Sequence, residues 1–204
     1  MKELYEWPPT RSQRAKWILE ELEIDYTSHL INMPDGEQHS DVYQAIHPLG
    51  VVPALKTDDY TIFESVAIVM QLIDEHPEKK LAPAIGTSER AYYYQWCVFA
   101  CAELDPPIMM YFDNTMRPPE QKGAHDADLA ERGRLDFRDR ANILSNVLQH
   151  RDYMLGSQFS GADVLIGHSC FMASYIGLIG DYPVLETYYK RLQQRPAHQR
   201  AYNS

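Results

Sequence analysis

The hydrophobic pattern of this chain changes character once, near Pro77, and that change constrains the fold more than any other feature. Before it, short alternating segments typical of strands are interleaved with segments of helical period, in the order β-α-β-α-β-β-α. After it, helical patterns follow one another with almost no alternation. The sequence therefore predicts an α+β domain with a small mixed sheet over residues 1–77, a linker over 78–87 and an all-helical domain over 88–204.

The predicted elements follow from the same patterns. In the first domain, strands are expected at residues 2–7, 26–31, 54–57 and 60–63, and helices at 11–22, 42–46 and 65–76. In the second domain, helices are expected at 89–116, 126–150, 160–176 and 184–194, with a last turn at 196–202. Pro106 and Pro107 are expected to break or bend the first of these helices.

One helix start in the second half carries a strong local signal. Ser160 stands at the N-cap position and Asp163 follows three residues later, which is a variant of the capping box. Phe159 and Val164 flank them as a hydrophobic staple. The residues that follow are apolar on most faces, so we expect this helix to be the buried centre of a helical bundle.

Charge and composition exclude several classes of partner. The net charge is −10 and no basic patch is visible, so nucleic acid is not an expected partner. No window approaches the roughly 18 apolar residues of a membrane-spanning helix, and the N-terminal residues lack the apolar run of a signal peptide. Cys97, Cys101 and Cys170 lie in helix-like segments and indicate buried thiols in a reducing compartment rather than a disulfide framework. We therefore expect a cytoplasmic protein without a membrane partner.

Two stretches of the first domain suit an extended ligand. Pro53 stands at the mouth of a short strand, where a tight turn, often with a cis bond, aims the N–H and C=O of Val52 outward. Glu64 and Ser65 lie where a strand gives way to a helix. Ser65 is expected to cap that helix, whose first amides suit a carboxylate, and Glu64 suits an ammonium group. A ligand with an extended backbone and an α-amino-acid head fits both stretches.

Together these segments resemble the cytosolic glutathione S-transferase family. The resemblance covers nearly the whole chain, and it depends on the order and spacing of several motifs. They are residues 10–14 leading into 17–21, 47–50 leading into 51–53, 64–68, 159–163, 182–183 and 195–197. The resemblance implies a thioredoxin-like N-terminal domain and an all-helical C-terminal domain that contributes the electrophile site and the contacts of a homodimer.

The implied activity is that of a glutathione transferase of the serine/threonine, bacterial-like type. Glutathione is then the co-substrate, no metal takes part, and the protein holds the thiolate for attack on a small hydrophobic electrophile, as in detoxification. The resemblance also assigns the contacts to glutathione. Val52 pairs its backbone with the cysteinyl part beside a cis Pro53, Glu64 and Ser65 hold the γ-glutamyl group, Gln38 and His39 reach the glycine carboxylate, and Arg11 stabilises the thiolate or the charge that develops on the substrate.

The group that activates the thiol has three candidates. Thr10 comes first, because it lies at the junction of the first strand and helix, where its hydroxyl would also cap the helix. Ser12 is the neighbour that could substitute, and Tyr5 matches the spacing of the tyrosine used by other classes, although a core role for Tyr5 is favoured. Since no cysteine lies at residues 7–14, a mechanism based on a protein thiol is disfavoured. A glutathione-dependent disulfide reductase and a non-catalytic binding or regulatory protein stay open as alternatives.

Overall fold

The computed structural model describes residues 1–203, which form two compact units. The first unit contains Met1–Ala82 together with the C-terminal segment from Gln194 onward, and the second contains Pro83–Gln193. Each unit has its own buried side chains, so each is described separately.

The first unit is built on a four-stranded mixed sheet. Its strands are β1 (Glu3–Glu6), β2 (Thr27–Leu30), β3 (Ala54–Lys56) and β4 (Thr61–Phe63), and its first three helices are α1 (Ser12–Leu22), α2 (Asp41–Gln44) and α3 (Ser65–Glu75). The strand order is β2-β1-β3-β4, with β1 parallel to β2 and β3 antiparallel to both of its neighbours. The predicted order of elements and the α+β, thioredoxin-like fold class are confirmed.

The core of this sheet unit is formed by apolar side chains that alternate along the strands and recur at helical spacing. Leu4 and Leu55 are fully buried on the sheet, and Ile18 and Ile68 are fully buried on α1 and α3. Because side chains alternate faces along a strand, Tyr5 and Ala54 lie on the other face of the sheet, where they form a second cluster that includes Tyr43 of α2.

The second unit is entirely helical in its regular structure. Its helices are α4 (Ser88–Phe99), α5 (Asp105–Thr115), α6 (Pro119–Lys122), α7 (Ala127–Leu148), α8 (Gly161–Tyr175) and α9 (Pro183–Gln193). The break expected at Pro106 and Pro107 is present but displaced, because both prolines fall in the first turn of α5. The interruption comes earlier, as a π-helical turn at Ala100–Leu104 between α4 and α5.

Helix α8 is the central helix that its sequence predicts. Most of its residues are buried, and its capping box is present. The Ser160 N–H and hydroxyl each donate to Asp163 Oδ2 at 2.9 Å. The other oxygen of Asp163 accepts the Met154 N–H at 2.8 Å and the Tyr188 hydroxyl at 2.9 Å. Even with these four hydrogen bonds, complete burial raises the pKa of Asp163 to about 6.

The last helix, α10 (Pro196–Asn203), packs on α1 within the first unit. The Trp17 ring meets the edge of the His198 ring, with centroids 4.7 Å apart, and His198 stacks on Tyr202 at 4.2 Å. Arg195 donates two hydrogen bonds to the carboxylate of Glu21, at 2.6 and 2.7 Å. The sequence pattern predicts this segment as part of the domain of residues 88–204, whereas its contacts with α1 group it with the first unit.

Across residues 1–203, no helix has both the length and the apolar composition needed to span a membrane.

Candidate functional site

Three segments of the first unit meet at one edge of its sheet. In the strand register, Ala54 of β3 lies opposite Tyr5 of β1 and Phe63 of β4. Because β3 is antiparallel to both neighbours, the residues just before Ala54 lie beside those just after Tyr5 and Phe63. We call this place the loop edge (residues 7–12, 50–53 and 63–65). It brings together the loop after β1, the turn before β3 and the junction of β4 with α3.

The turn before β3 leaves the backbone N–H and C=O of one residue, Val52, unpaired within the described chain. The Val52–Pro53 peptide bond is cis, as expected. Val52 buries its side chain in the cluster around Tyr43, and the Tyr43 hydroxyl donates to the Val51 carbonyl at 2.7 Å. Within residues 1–203, the N–H and C=O of Val52 have no hydrogen-bond partner. An extended ligand chain therefore finds a free donor and a free acceptor here.

A close approach of backbone brings Gln38 and His39 to the same turn. Gly50 has φ +59°, and a Cβ at this position would lie 2.7 Å from the Gln38 carbonyl oxygen and 3.1 Å from His39 Nδ1. Only glycine allows this contact between the two loops. The side-chain oxygen of Gln38 is buried without a partner in the described chain, while the His39 side chain is exposed. The side chain of Gln38 therefore offers a carbonyl oxygen as an acceptor and an NH2 group as a donor close to the turn.

The junction of β4 with α3 differs in one respect from the expectation. Glu64 has φ 72° and ψ 110°, a conformation rare for a residue other than glycine, and its side chain is exposed. This sharp turn makes Glu64 the N-cap and Ser65 the first helical residue, so the prediction that Ser65 caps α3 is wrong. The Ser65 hydroxyl instead accepts from Arg14 Nη1 at 3.5 Å. In the described residues the N–H groups of Ser65, Val66 and Ala67 have no acceptor, which leaves a helix start suited to an anion.

Two buried polar residues, Arg14 and His47, lie beside this site, and the sequence pattern does not predict the burial of either one. Arg14 is fully buried on α1, four residues before the buried Ile18, and that helical spacing is the signal that could have found it. His47 is buried against Phe63, with ring centroids 4.7 Å apart. Burial lowers the pKa of His47, and the nearby charge of Glu64 opposes that shift.

The loop after β1 holds two hydroxyl groups in contact. Helix α1 begins at Ser12 with Arg11 as its N-cap, so Thr10 lies one residue before the N-cap position, but its hydroxyl does bind the N–H of the first helical residue. Thr10 Oγ1 donates to the Trp7 carbonyl at 2.5 Å and accepts the Ser12 N–H at 3.2 Å. Ser12 Oγ is fully buried, lies 2.8 Å from Thr10 Oγ1, and accepts the Trp7 N–H at 3.2 Å. The Thr10 side chain is only half-buried, so of the two hydroxyls it is the one that a ligand can reach.

Arg11 and Tyr5, the other residues predicted to act on the thiol of the ligand, differ in exposure. Arg11 is exposed at the start of α1. Tyr5 is buried in the cluster of Tyr43 and Val52, stacks on His29 at a centroid distance of 4.9 Å, and points its hydroxyl at Glu3 Oε2, 3.4 Å away. Burial and the Glu3 charge both raise the pKa of Tyr5. This environment is that of a core residue and weakens Tyr5 as a donor to a thiolate.

In the second unit the cysteines differ from the expectation. Cys97 and Cys170 are buried, and burial raises the pKa of each thiol to about 12, but Cys101 is exposed on the π-helical turn. The prediction of a buried thiol is therefore wrong for Cys101. All three cysteines are free.

Among residues 1–203, no group of three or more His, Cys, Asp or Glu side chains is placed to hold a metal ion.

Comparisons with known proteins agree with this geometry. Residues 2–74 match the sequence family "Glutathione S-transferase, N-terminal domain". Glutathione S-transferase GstB of Escherichia coli K12 is 29% identical over 202 residues, covering 94% of this chain and 93% of the relative. A solved ternary complex of BphK, a bacterial GST, is 28% identical with a TM-score of 0.85, over 98% of both chains. Glutathione transferase URE2P8 of Phanerochaete chrysosporium, solved with oxidized glutathione, shares the fold with a TM-score of 0.89 at 21% identity, over 99% of this chain and 93% of that one. Residues 2–74 thus match the N-terminal domain of glutathione S-transferases, and over nearly its whole length the chain is similar to members of that family.

Proposed function

We propose that this protein is a glutathione transferase that binds glutathione at the loop edge and holds its sulfur as a thiolate for attack on a small hydrophobic electrophile. The observation that carries the proposal is the free backbone pair of Val52, beside a cis Pro53, at the same sheet edge as the open start of α3. An extended peptide with an α-amino-acid end fits this arrangement.

Each part of glutathione has a complementary group in this proposal. Val52 pairs with the cysteinyl backbone, Glu64 binds the ammonium of the γ-glutamyl group, and the Ser65 hydroxyl with the first amides of α3 binds its carboxylate. Gln38 and His39 bind the glycine carboxylate. Arg11, exposed at the start of α1, adds positive charge near the sulfur.

Thr10 is the proposed catalytic residue, and one hydroxyl is enough in magnitude. A free thiol has a pKa of about 8.5, and lowering it by about two units requires a preference of roughly 2.7 kcal/mol for the anion. A hydrogen bond to a charged group contributes about 1.5–3 kcal/mol and a helix N-terminus about 0.3–1 kcal/mol. The thiolate then attacks the electrophilic carbon, and the leaving group departs with its bonding electrons.

The remaining assignments are also proposals. The aromatic and methionine side chains of α4 and α5 contribute to binding of the electrophile, since such side chains give an adaptable apolar surface. The protein acts in the cytoplasm, where its three free cysteines suit the reducing conditions.

Thr10→Ala tests the assignment. We expect turnover with a chloronitrobenzene-type electrophile to fall about ten-fold or more, because the lost hydrogen bond acts on the thiolate. The dissociation constant of glutathione should change little at a pH below the pKa of the bound thiol, where the thiolate is not the bound form. Thr10→Ser, which keeps the hydroxyl, is the matched control and should retain activity. Retained turnover in Thr10→Ala together with its loss in Tyr5→Phe would show that the wrong hydroxyl has been chosen.

The same assay separates the alternatives. A reductase reduces a small mixed disulfide faster than it conjugates the electrophile, and a non-catalytic binder retains glutathione affinity with neither activity. If the protein does not bind glutathione, the proposed function is wrong.

A further inference from the structure

The hydroxyls of Thr10 and Ser12, at the start of α1, contact each other and the same backbone carbonyl of Trp7. Thr10 has a single hydroxyl hydrogen, and in this structure it donates that hydrogen to the Trp7 carbonyl at 2.5 Å. It cannot donate to a thiolate at the same time. Turning the Thr10 hydrogen toward sulfur leaves the Trp7 carbonyl without this bond, and an unpaired, partly buried carbonyl opposes the turn.

Ser12 lies where it can donate to the Trp7 carbonyl in place of Thr10. Its Oγ lies 3.2 Å from the same Trp7 carbonyl oxygen and 2.8 Å from Thr10 Oγ1. When Thr10 donates to the carbonyl, the Ser12 hydrogen is free to donate to Thr10 Oγ1. When Thr10 donates to sulfur, the Ser12 hydrogen can turn to the carbonyl.

The other bonds of the group survive this exchange. The Trp7 N–H stays on Ser12 Oγ and the Ser12 N–H stays on Thr10 Oγ1, because neither depends on where the hydroxyl hydrogens point. The only bond lost is the one between the two hydroxyls, and the bond from Thr10 to the thiolate replaces it. Ser12 is fully buried, so it does not itself reach the ligand.

We propose that Ser12 is a positioning residue that takes over the Trp7 carbonyl when the glutathione thiolate arrives and so releases the hydrogen of Thr10 for the sulfur. This inference rests on the proposed function and deepens it. It assigns to Ser12 a role in the ionisation of the bound thiol rather than in binding the ligand.

The test measures the pKa of the thiol of bound glutathione, from the ultraviolet absorbance of the thiolate as a function of pH. In Ser12→Ala we expect this pKa to rise by about one unit above that of the wild type, a ten-fold change in the ionisation constant. At a pH below the pKa of the bound thiol, where glutathione is bound as the thiol in both proteins, the dissociation constant should stay within about two-fold, because Ser12 does not touch the ligand. Ser169→Ala is the matched control: it removes an equally buried serine hydroxyl, on α8, and should leave the thiol pKa unchanged.

The outcomes distinguish this inference from the proposed function. A raised pKa in Thr10→Ala with no change in Ser12→Ala overturns the role of Ser12 and leaves Thr10 in place. No change in either variant overturns both assignments. A raised pKa in Ser12→Ala alone makes Ser12 the donor and also overturns the exchange.

Ser12→Cys provides a second variant in case Ser12→Ala does not fold. Its size is close to that of serine, but a thiol is a weak donor, so the pKa should shift in the same direction as in Ser12→Ala. A wild-type pKa in a folded Ser12→Cys protein overturns the proposal.

Discussion

Glu64 is the residue whose backbone departs most from ordinary conformations at the loop edge. A positive φ in a residue other than glycine costs on the order of 1–3 kcal/mol, and such strain concentrates at functional sites. In the proposed site, Glu64 would bind the ammonium of the amino-acid head, and the open first amides of α3, which directly follow Glu64 in the chain, would bind its carboxylate.

Ser65→Ala is expected to weaken the binding of glutathione about ten-fold or more, because a hydrogen bond to a charged carboxylate contributes about 1.5–3 kcal/mol. Titration calorimetry measures the dissociation constant. The matched control is Ser88→Ala, since Ser88 is likewise the first residue of a helix but lies in the second unit. Equal affinities of wild type and Ser65→Ala would refute the head-group site.

For the single residues of the candidate site, the sequence predicted the backbone features better than the buried polar contacts. Pro53 indicated the free backbone of Val52, because a residue without an N–H has few reasons to stand at a strand. Arg14 and His47 were not identified as buried, because charged and polar residue types are usually exposed and only the folded chain shows what covers them. The N-cap positions expected at Thr10 and Ser65 each differ from the structure by one residue, which a propensity argument does not resolve.

Among the secondary-structure elements, α10 shows the limit of periodicity. Its helical pattern was recognisable, but a pattern states that one face is buried and not which neighbour buries it. The complementary residues are Trp17 and Glu21 of α1, far away in sequence. By contrast, the start of α8 was predictable because Ser160 and Asp163 interact within one turn.

His198 makes the packing of α10 dependent on pH. Burial lowers its pKa from 6.5 to about 4, so between these values the unfolded chain binds a proton that the folded chain does not. Its contribution to the free energy of unfolding is therefore present above about pH 6.5 and is lost as the pH falls toward 4, by up to about 3 kcal/mol.

His198→Phe keeps a ring between Trp17 and Tyr202 and removes the titration. We expect the wild type to lose more stability than this variant between pH 7 and about 4.5, as measured by urea unfolding at each pH. The difference between the two proteins in how the free energy of unfolding changes with pH excludes the groups that both contain. One such group is Asp163, whose raised pKa makes the protein less stable, not more stable, as the pH rises. If both proteins lost the same amount of stability between pH 7 and about 4.5, that result would contradict burial of a neutral His198.

For the whole molecule, the sequence indicated the order of the elements and the family, but a single chain does not display its partner surface. The resemblance implies a homodimer, and α4 presents Tyr92 and Val98 to solvent in the isolated chain, with more than half of each side chain exposed. Apolar groups of this size on one helix suit a self-complementary contact.

We expect sedimentation equilibrium to give a mass twice the 23.6 kDa of one chain at micromolar concentration. Because each chain carries a net charge of −10, added salt should strengthen the association rather than weaken it. A mass of one chain at every concentration and salt level would show that the family's quaternary structure does not extend to this protein.

The return of α10 to α1 also bears on how the polypeptide matures. During synthesis the first 82 residues leave the ribosome early, yet the surface of Trp17 stays open until the final segment emerges. The helical unit, which is continuous in the chain, has every residue it needs before that moment. The amino-terminal part is thus made first but closed last, and an excised fragment of it would expose an aromatic face to water.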